Sequence, residues 1–324
     1  MNRRDTVVAL LSIGVAPLTS FAQQPSAKVA RIGFLGSNSP SDSAWRVDAL
    51  RAGLRDLGYV EGKNLVIELR WAESRYERLP ELAVELVRLK VDVIVTHGIP
   101  GSLAAKRATT TIPIVMAAVV DPVAMGLAAS LARPGGNITG ATFFVTELNV
   151  KRLELIKEVL PRIRRVAFLF NSANPSTPAR EMEAAARSLK IELQQFGVRS
   201  PSEFENVFVA MSKRRVEATT VIEDPMLVSH VAAVTSIAAK HRIPSIGFPE
   251  LADGGGLMGY GANLPALYHR AGYFVDKILK GANPGDIPIE QATRFELTIN
   301  MKTAKSLGIT IPKTVLFRAD RVIE

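Results

Sequence analysis

Two segments of the chain share the same pattern of apolar and polar positions. Residues 31–40 have the sequence RIGFLGSNSP and residues 165–175 have RVAFLFNSANP, so each is a short apolar run followed by a polar loop that ends near proline. A helical pattern follows each loop, and after the first it places apolar residues at Val47, Leu50, Leu54 and Leu57. This repeated strand–loop–helix unit predicts two α/β lobes of similar construction.

The alternation of strand and helix patterns continues along both halves of the chain. Apolar or alternating runs predict strands at residues 31–35, 65–69, 91–95, 114–118, 138–144, 166–170, 191–196, 218–222, 245–248 and 295–299. Helical patterns separate them, among them a first helix capped by Ser41 or Asp42, a helix after Asp121-Pro122 and a long helix over 226–241. Such alternation is typical of parallel sheets with right-handed crossovers. We therefore predict an α/β fold with two doubly wound parallel-sheet lobes joined by a hinge.

The end of the chain is expected to visit both lobes. We assign residues 28–144 plus about 260–286 to the first lobe, and residues 145–256 plus about 290–324 to the second. This division implies three hinge crossings, near residues 143–148, 256–262 and 286–292.

The N-terminus has the features of a secretory signal peptide. Arg3 and Arg4 give a basic start, residues 6–18 form an apolar run, and Ser20-Phe21-Ala22 places small residues where a signal peptidase cuts. The run is shorter than the roughly 20 residues of a transmembrane helix, so cleavage near Ala22 is favoured, and a buried first helix is the alternative. The paired arginines also suit twin-arginine export, but the residues after them fit that pattern poorly, which favours Sec-type export. We predict an exported protein, located in the periplasm.

Composition narrows the classes of function. The 324 residues include no cysteine, which excludes disulfides, thiolate metal sites and cysteine nucleophiles. A hydrophobic content of 47% indicates well-filled cores rather than disorder. The formal net charge is +9, but the basic residues are spread over predicted helix faces, as at Arg46, Arg51 and Arg55, and do not alternate with aromatic residues. We interpret these arginines as a solvated surface and expect no nucleic-acid partner.

Common enzyme motifs are absent from the sequence. It has no GxGxxG fingerprint after the first strand, no GxxxxGK[ST] phosphate loop and no GxSxG nucleophile elbow. The four histidines lack the spacing of metal ligands, and no pair of carboxylates stands out as an acid–base couple. We therefore expect a binding protein and not an enzyme, with no cofactor, no metal and no catalytic residue.

Candidate ligand-binding residues follow from the geometry of parallel sheets, which bind ligands at the loops after the carboxyl ends of strands. In the first lobe this rule selects Ser37, Asn38, Thr96, His97, Gly98 and Asp121, and in the second it selects Asn171, Glu223, Asp224 and Phe248. Backbone N–H groups at the start of the helix near Ser102 suit a carboxylate, and Asp224 suits an ammonium group. Tyr260 lies near a predicted hinge crossing and, like Phe248, suits stacking on a flat ligand.

Each candidate also has a structural interpretation. Ser37 suits a cap of the first helix, and residues 96–98 suit a plain strand–helix turn. Asp121 and Asp224 each precede a proline, which is typical of a helix start with aspartate as the N-cap. His97 also suits a loop position with satisfied hydrogen bonds, while Phe248 and Tyr260 also suit the core. Both interpretations stay open at this point.

Several longer motifs resemble one family of exported proteins. They are RIGFLG at 31–36, GLRDLGYVEGKN at 53–64, DPVA at 121–124, RPGGNITG at 133–140, EDP at 223–225 and INMKTAKSLG at 299–308. Over nearly the whole chain after the leader, the sequence resembles the substrate-binding components of ABC transporters in the tryptophan-binding-protein-like group.

The resemblance implies the type I periplasmic-binding-protein fold and a function in transport. A small solute, an amino acid or a related compound, would be captured in the cleft and delivered to a membrane permease by a monomer. The resemblance further implies that residues 96–102 hold the carboxylate of the ligand and that Asp224 holds its amino group, with Asn38 and His97 near its side chain.

Two other classes of protein stay as alternatives. The ligand-sensing domain of a receptor or transcriptional regulator shares this fold, but here the leader occupies the place of a DNA-binding headpiece. An exported α/β enzyme would need a catalytic constellation in the cleft, and the sequence shows none.

Overall fold

The computed structural model describes residues 29–143, 145–174 and 179–324. The predicted signal peptide, residues 1–22, lies outside the described residues. The strands are β1 (Ala30–Gly36), β2 (Leu65–Trp71), β3 (Val93–Thr96), β4 (Ile114–Val120), β5 (Ile138–Phe143), β6 (Arg165–Asn171), β7 (Glu192–Val198), β8 (Ala218–Val221), β9 (Ser245–Gly247), β10 (Met258–Ala262), β11 (Glu290–Gln291), β12 (Phe295–Asn300) and β13 (Arg321–Ile323). The α-helices are α1 (Pro40–Asp56), α2 (Leu79–Arg88), α3 (Gly98–Ala108), α4 (Val145–Val159), α5 (Ala179–Ser188), α6 (Phe204–Lys213), α7 (Pro225–Ser229), α8 (Val231–Lys240), α9 (Pro249–Asp253), α10 (Leu264–Leu279), α11 (Met301–Leu307) and α12 (Lys313–Leu316).

The strands form two sheets, and each sheet with its helices is one lobe. The sheet of lobe 1 has the strand order β11–β5–β4–β3–β1–β2, and the sheet of lobe 2 has the order β13–β12–β10–β9–β8–β6–β7. Neighbouring strands run parallel, except that β10 and β12 pair antiparallel. The predicted fold class, an α/β protein with two mainly parallel sheets in two lobes, is confirmed.

Within the described residues, the chain changes lobe three times, after β5, after β10 and after β11. Helix α10 packs against α1 of lobe 1, and β11 pairs with β5 in the same lobe. The following strands, β12 and β13, complete the sheet of lobe 2. The residue bounds that the sequence suggests for the two lobes stay a prediction.

The central strands are buried on both faces, and this explains why their sequences are continuous apolar runs. In β3, for example, Val93, Ile94 and Val95 are all fully buried. Each predicted strand is present, with its ends shifted by at most a few residues. Among the helices of the described residues, none is both long and apolar enough to cross a membrane.

A pair of glycines lets α1 and α10 approach each other closely. A Cβ on Gly53 would lie 2.0 Å from the carbonyl oxygen of His269, and a Cβ on Gly272 would lie 2.7 Å from the carbonyl carbon of Gly53. Both distances are well below van der Waals contact, so a larger residue at either position would push the helices apart. The close approach determines where the residues of α1 and α10 stand relative to each other at the cleft.

The prediction of a helix after Asp121-Pro122 is wrong, because this segment forms turns. Asp121 has a φ of +35° and Gly126 has a φ of +66°, and neither value is compatible with an α-helix. The N–H of Leu127 donates to the carbonyl oxygen of Pro122, which closes the turn.

Two other helix boundaries differ from the prediction. The helix predicted over 226–241 is divided into α7 and α8, because His230 leaves helical geometry with φ −113° and ψ 27°. The N-cap of α1 is neither Ser41 nor Asp42 but Ser39, whose side chain accepts a hydrogen bond from the N–H of Asp42. Pro40 at the first helical position agrees with this start.

Candidate ligand-binding site

A small cavity of about 40 Å³ lies between the two lobes, at the carboxyl ends of the strands. Lobe 1 contributes Arg46, His97, Gly98, Ile99, Ala118, Val120, Phe143, Leu264 and Tyr268 to its lining. Lobe 2 contributes Asn174, Glu223, Asp224, Pro225 and Val228. This is the edge at which parallel sheets bind ligands, so the cavity is the candidate site.

Direct hydrogen bonds join the lobes beside the cavity. Asn38 Nδ2 of lobe 1 donates to the carbonyl oxygen of Pro225 at 3.0 Å and to Ser229 Oγ at 2.7 Å. The Tyr76 hydroxyl, also of lobe 1, lies 3.1 Å from Oδ2 and 3.2 Å from Oδ1 of Asp224. The lobes are therefore closed on each other in this structure.

Arg46 brings a guanidinium group to the cavity from α1. Its side chain is buried, and Nη1 donates to the carbonyl oxygen of Asp42 at 3.2 Å, to Ser43 Oγ at 3.0 Å and to Ser229 Oγ at 3.4 Å. Its Nε is buried with no hydrogen-bond partner among the described residues. The interpretation of Arg46 as part of a solvated surface was therefore wrong. A guanidinium N–H without a partner suits a carboxylate, which arginine binds well.

Aromatic rings surround Arg46. Its guanidinium lies over the ring of Trp45, 4.5 Å from the centroid, and Tyr268 meets Trp45 and His97 edge-on at 5.3 Å and 5.8 Å. The backbone N–H of Ser37 donates to His97 Nε2 at 3.4 Å, while Ser37 Oγ is buried with no partner among the described residues. Burial and the charge of Arg46 hold the pKa of His97 well below its usual range. His97 thus lines the cavity as a neutral ring.

Residues 96–102 turn directly from β3 into α3. Gly98 has a φ of +64°, and a Cβ there would lie 3.0 Å from Cγ of Pro225 in the other lobe, so glycine is strongly favoured. Thr96 Oγ1 donates to the carbonyl oxygen of Leu35 at 3.0 Å, and Ser102 Oγ donates to that of Gly98 at 2.7 Å. Both hydroxyl groups are therefore engaged inside lobe 1, while Gly98 lines the cavity.

Asp224 is the N-cap of α7 and accepts many hydrogen bonds. Its Oδ1 accepts from the N–H groups of Met226 at 2.9 Å and Leu227 at 3.3 Å. The side-chain amides of Asn171 and Asn174 donate to its two oxygens at 3.1 Å and 2.9 Å, and a tyrosine hydroxyl of lobe 1 completes the set. Burial raises the pKa of Asp224, although the donors act in the opposite direction. The structural interpretation accounts for these contacts, and a role as ammonium anchor stays a prediction.

Two further carboxyl groups flank the cavity on the side of lobe 2. Glu223 forms two hydrogen bonds with Arg152 of α4, of which the bond from Nη1 to Oε2 is 2.7 Å long. Arg152 also donates to the carbonyl oxygen of Tyr260, at 2.8 Å from Nε and 2.6 Å from Nη2. Glu250 of α9 has a buried Oε2 with no partner among the described residues. Burial, and to a lesser degree Glu223, raise the pKa of Glu250 to about 7.

Eight of the predicted residues are not among those that line the cavity, namely Ser37, Asn38, Thr96, Ser102, Asn171, Asp121, Phe248 and Tyr260. Asp121 is exposed, and its Oδ1 accepts a hydrogen bond from the N–H of Ala124 at 3.0 Å. Phe248 is fully buried in the hydrophobic core, and the ring of half-buried Tyr260 lies 6.3 Å from that of Phe295. Ligand contact by these eight residues stays a prediction without support from the lining of the cavity. The described residues also contain no group of three or more potential metal ligands.

Four residues in or beside the cavity were missing from the sequence-based candidates, namely Arg46, Tyr268, Asn174 and Glu250. The sequence does contain a signal for two of them, Arg46 and Tyr268. Arg46 shares one face of α1 with Ser43, Leu50 and Gly53, all of which are buried. Tyr268 is likewise in phase with the buried residues Ala271 and Val275 of α10. A charged or polar residue at the spacing of an apolar stripe predicts burial, and near the end of a helix that faces a cleft it predicts a site.

Comparison with known proteins gives consistent matches. Residues 39–323 match the profile of a family described as ABC transporter substrate binding protein. The chain is 29% identical over 311 residues to the tyrosine-binding protein of Clostridioides difficile (strain R20291). The alignment covers 95% of this chain and 84% of that protein.

Two solved structures are also similar. One is an ABC domain from Streptococcus pneumoniae in complex with L-Trp, with a TM-score of 0.83 and 28% identity, covering 91% of this chain and 99% of that chain. The other is a conserved domain protein from Vibrio cholerae O1 biovar eltor str. N16961, with a TM-score of 0.85 and 27% identity, covering 91% of this chain and 100% of that chain.

The family match extends over well more than half of the chain. It confirms the resemblance seen in the motifs, and it favours a binding protein over the regulator and enzyme alternatives, because the family is not enzymatic. The chain belongs to the ABC transporter substrate-binding proteins and is the solute-binding component of such a transporter.

Proposed function

We propose that the protein binds a free amino acid between its lobes and delivers it to the membrane permease of its transporter, with tyrosine and tryptophan as the first candidates. The observation that carries this proposal is the buried Arg46, which lines the cavity and has an Nε without a partner among the described residues. An amino acid carries one carboxylate and one ammonium group. The cavity has a guanidinium on the wall of lobe 1 and carboxyl groups on the wall of lobe 2.

Similar proteins and the residues that line the cavity both support a ligand with an aromatic side chain. One relative is a tyrosine-binding protein, and one similar structure holds L-Trp. In this chain, Tyr268, His97 and Phe143 line the cavity, and Trp45 packs against Tyr268. Aromatic pairs contribute about 0.5–1.5 kcal/mol beyond the burial of their area, so such a wall favours a flat side chain.

The lobes or their lining side chains must move apart to admit this ligand. The cavity measures about 40 Å³. A cavity that binds benzene measures about 150 Å³, so a cavity of this size is too small for an amino acid while the lobes are closed. We propose a cycle in which the hydrogen bonds of Asn38 and Tyr76 between the lobes break, the amino acid enters, and the lobes close again around it. Closure excludes water and strengthens each polar contact.

We further propose that residues 1–22 are a signal peptide and that the mature chain acts as a monomer in the periplasm, without a nucleic-acid partner. The basic start, the apolar run and Ala22 support this location, as does a family whose members typically act outside the cytoplasm. N-terminal sequencing of protein from the cell envelope should find a chain that begins at Gln23. A cytoplasmic protein that retains Met1 would contradict the proposal.

Calorimetric titration tests the ligand class directly. The protein is unfolded, dialysed and refolded to remove any retained solute, and then titrated with L-tyrosine, L-tryptophan and L-alanine, with myo-inositol as the control. We expect at least one aromatic amino acid to bind and to raise the melting temperature by mass action. Binding of myo-inositol, with none of the amino acids bound, would contradict the proposal.

A further inference from the structure

Glu250 stands at the boundary between the lobes with an incomplete set of contacts. It is the second residue of α9 and stands three positions after Gly247, the last residue of β9. It therefore lies near the carboxyl edge of the lobe 2 sheet. Its Oε2 is buried and has no hydrogen-bond partner among the described residues. A buried carboxylate oxygen that gives up its hydration without gaining a partner is costly, so its presence in a native protein needs an explanation.

The ionisable groups around Glu250 come from both lobes. Those that interact with it electrostatically are Arg46 on α1, Tyr268 on α10, Glu223 after β8, Asp253 on α9 and Arg321 on β13. Three of them, Arg46, Tyr268 and Glu223, line the cavity. Glu250 is thus adjacent to the wall of the cavity, and both lobes contribute to its surroundings.

The charges next to the cavity do not balance. Glu223 is compensated by Arg152, to which it is paired inside lobe 2. Among the described residues that line the cavity, this leaves Arg46 as the positive charge opposite Asp224 and the neighbouring Glu250. A ligand with an anionic group next to Arg46 and a cationic group next to Glu250 would give each of them a partner of opposite charge.

Asp224 has little capacity left for such a cationic group. Its two oxygens accept hydrogen bonds from the N–H groups of Met226 and Leu227, from two side-chain amides and from the Tyr76 hydroxyl. A carboxylate offers about four lone-pair positions, so these donors already saturate it. Glu250 differs from Asp224 in having a buried oxygen that no donor reaches.

We propose that Glu250 binds the positively charged amino group of the solute while Arg46 binds its carboxylate. This assignment rests on the proposed amino-acid function and gives Glu250, in place of Asp224, the main role in recognising the ammonium group. The two groups belong to different lobes, so a zwitterionic ligand bridges the cleft and favours its closure.

Proton release on binding is a measurable consequence. Burial raises the pKa of Glu250 to about 7, so roughly half of the molecules carry a proton there at pH 7. An ammonium group favours the ionised carboxylate, and its binding therefore lowers this pKa and releases a proton. The affinity should rise as the pH increases through 7, until the amine of the ligand itself loses its proton.

The test compares wild type with Glu250→Gln, which keeps the size of the side chain and removes its charge. Calorimetry measures the affinity for L-tyrosine, for L-tryptophan and for 3-(4-hydroxyphenyl)propionate, which is tyrosine without its amino group. We expect Glu250→Gln to weaken amino-acid binding at least about thirtyfold and to change propionate binding less than about threefold, since a pairing between charges is lost only in the first case. Glu81→Gln, at an exposed position of α2, is the matched control and should leave both affinities unchanged.

Titration of the wild type in two buffers of different ionisation enthalpy provides a second readout that does not depend on the variant. We expect roughly half a proton to be released per amino acid bound at pH 7, and none to be released on binding of the propionate. Amino-acid binding that is tight in wild type and equal in Glu250→Gln, with no proton release, would overturn the role of Glu250 alone. If neither amino acid binds to the wild type, the proposed function itself fails, and this assignment fails with it.

Discussion

Two arginine–glutamate couples flank the cleft, and they differ in how completely they are paired. Arg152 and Glu223 share two hydrogen bonds inside lobe 2, with their side chains 0% and 6% exposed. Arg46 and Glu250 stand on opposite lobes, and each has a buried polar atom with no hydrogen-bond partner among the described residues. The first couple is satisfied within the protein, whereas the second has capacity for a ligand.

The difference separates a structural role from a binding role. Arg152 also donates to the carbonyl oxygen of Tyr260 and to Asn149 Oδ1, so it holds α4, β10 and the segment after β8 together. Arg46 and Glu250 instead offer opposite charges across a cleft, as recognition of a zwitterion requires. Substitutions in the first couple should therefore change mainly stability, and substitutions in the second should change mainly affinity.

The largest expected effect is on stability, in Arg152→Met. Removal of one partner of a buried ion pair leaves the other uncompensated, and this typically costs about 3–5 kcal/mol. Urea unfolding measures the change in the free energy of unfolding. Lys151→Met is the control on the same helix, because Lys151 forms a surface pair with Glu154, and such pairs contribute only about 0–1 kcal/mol.

A double variant identifies the source of that loss. In Arg152→Met/Glu223→Gln the unpaired charge is absent, so we expect much of the lost stability to return. If the double variant is as unstable as Arg152→Met, the uncompensated charge of Glu223 is not the cause, and packing around Arg152 is the better explanation.

The next largest effect is on affinity, in Arg46→Met. Truncation of one partner of a buried charged contact costs about 2–5 kcal/mol in binding, so amino-acid affinity should fall by at least about a hundredfold, or about 2.8 kcal/mol. The free energy of unfolding should change far less than in Arg152→Met. Calorimetry with L-tyrosine and L-tryptophan measures the loss, and Arg55→Met, at an exposed position of the same helix, is the control. Full affinity in Arg46→Met would refute the role of Arg46.

The fold was largely predictable from the sequence because its signals are local. A strand buried on both faces, such as β3, has a continuous apolar sequence that needs no knowledge of its neighbours. The rule for the ends of parallel strands also located His97, Gly98 and Asp224, which line the cavity. The turns after Asp121 were missed because an Asp-Pro pair suits both a helix start and a turn.

The binding groups across the cleft were less predictable because they depend on contacts between distant segments. Arg46 reaches the cavity only because α10 returns to lobe 1 and packs closely on α1 through Gly53 and Gly272. Glu250 can be identified as a candidate only from the folded structure, in which no donor reaches its Oε2. Sequence spacing describes one helix or strand at a time, whereas an unsatisfied group is a property of the assembled fold.

Asp224→Ala discriminates between the two candidate anchors for the ammonium group. Loss of the cap costs about 1 kcal/mol, and the amides of Asn171 and Asn174 lose an acceptor, so we expect the free energy of unfolding to fall by about 2 kcal/mol. Amino-acid affinity should fall less than about tenfold if Glu250 is the anchor. A loss of a hundredfold or more would restore the assignment to Asp224. Asp121→Ala is the matched control, because Asp121 also precedes a proline and accepts from a backbone N–H but is exposed.

The smallest expected effect concerns the closure of the lobes, in Tyr76→Phe. This change removes the hydroxyl that donates to Asp224 from the other lobe at 3.1 Å, and it should cost the closed arrangement about 1 kcal/mol. Tyr59→Phe is a close control, because it also removes a hydrogen bond from a tyrosine to an aspartate. The Tyr59 hydroxyl donates to Asp276 Oδ1 at 3.0 Å, and both residues belong to lobe 1. Small-angle X-ray scattering without added solute measures the radius of gyration. We expect it to increase in Tyr76→Phe only, while urea unfolding shows similar losses in both variants. An equal radius in both variants would mean that the bond from Tyr76 to Asp224 does not hold the lobes closed. Closure would then depend on the bonds of Asn38 to Pro225 and Ser229 and on the bond of Arg46 to Ser229.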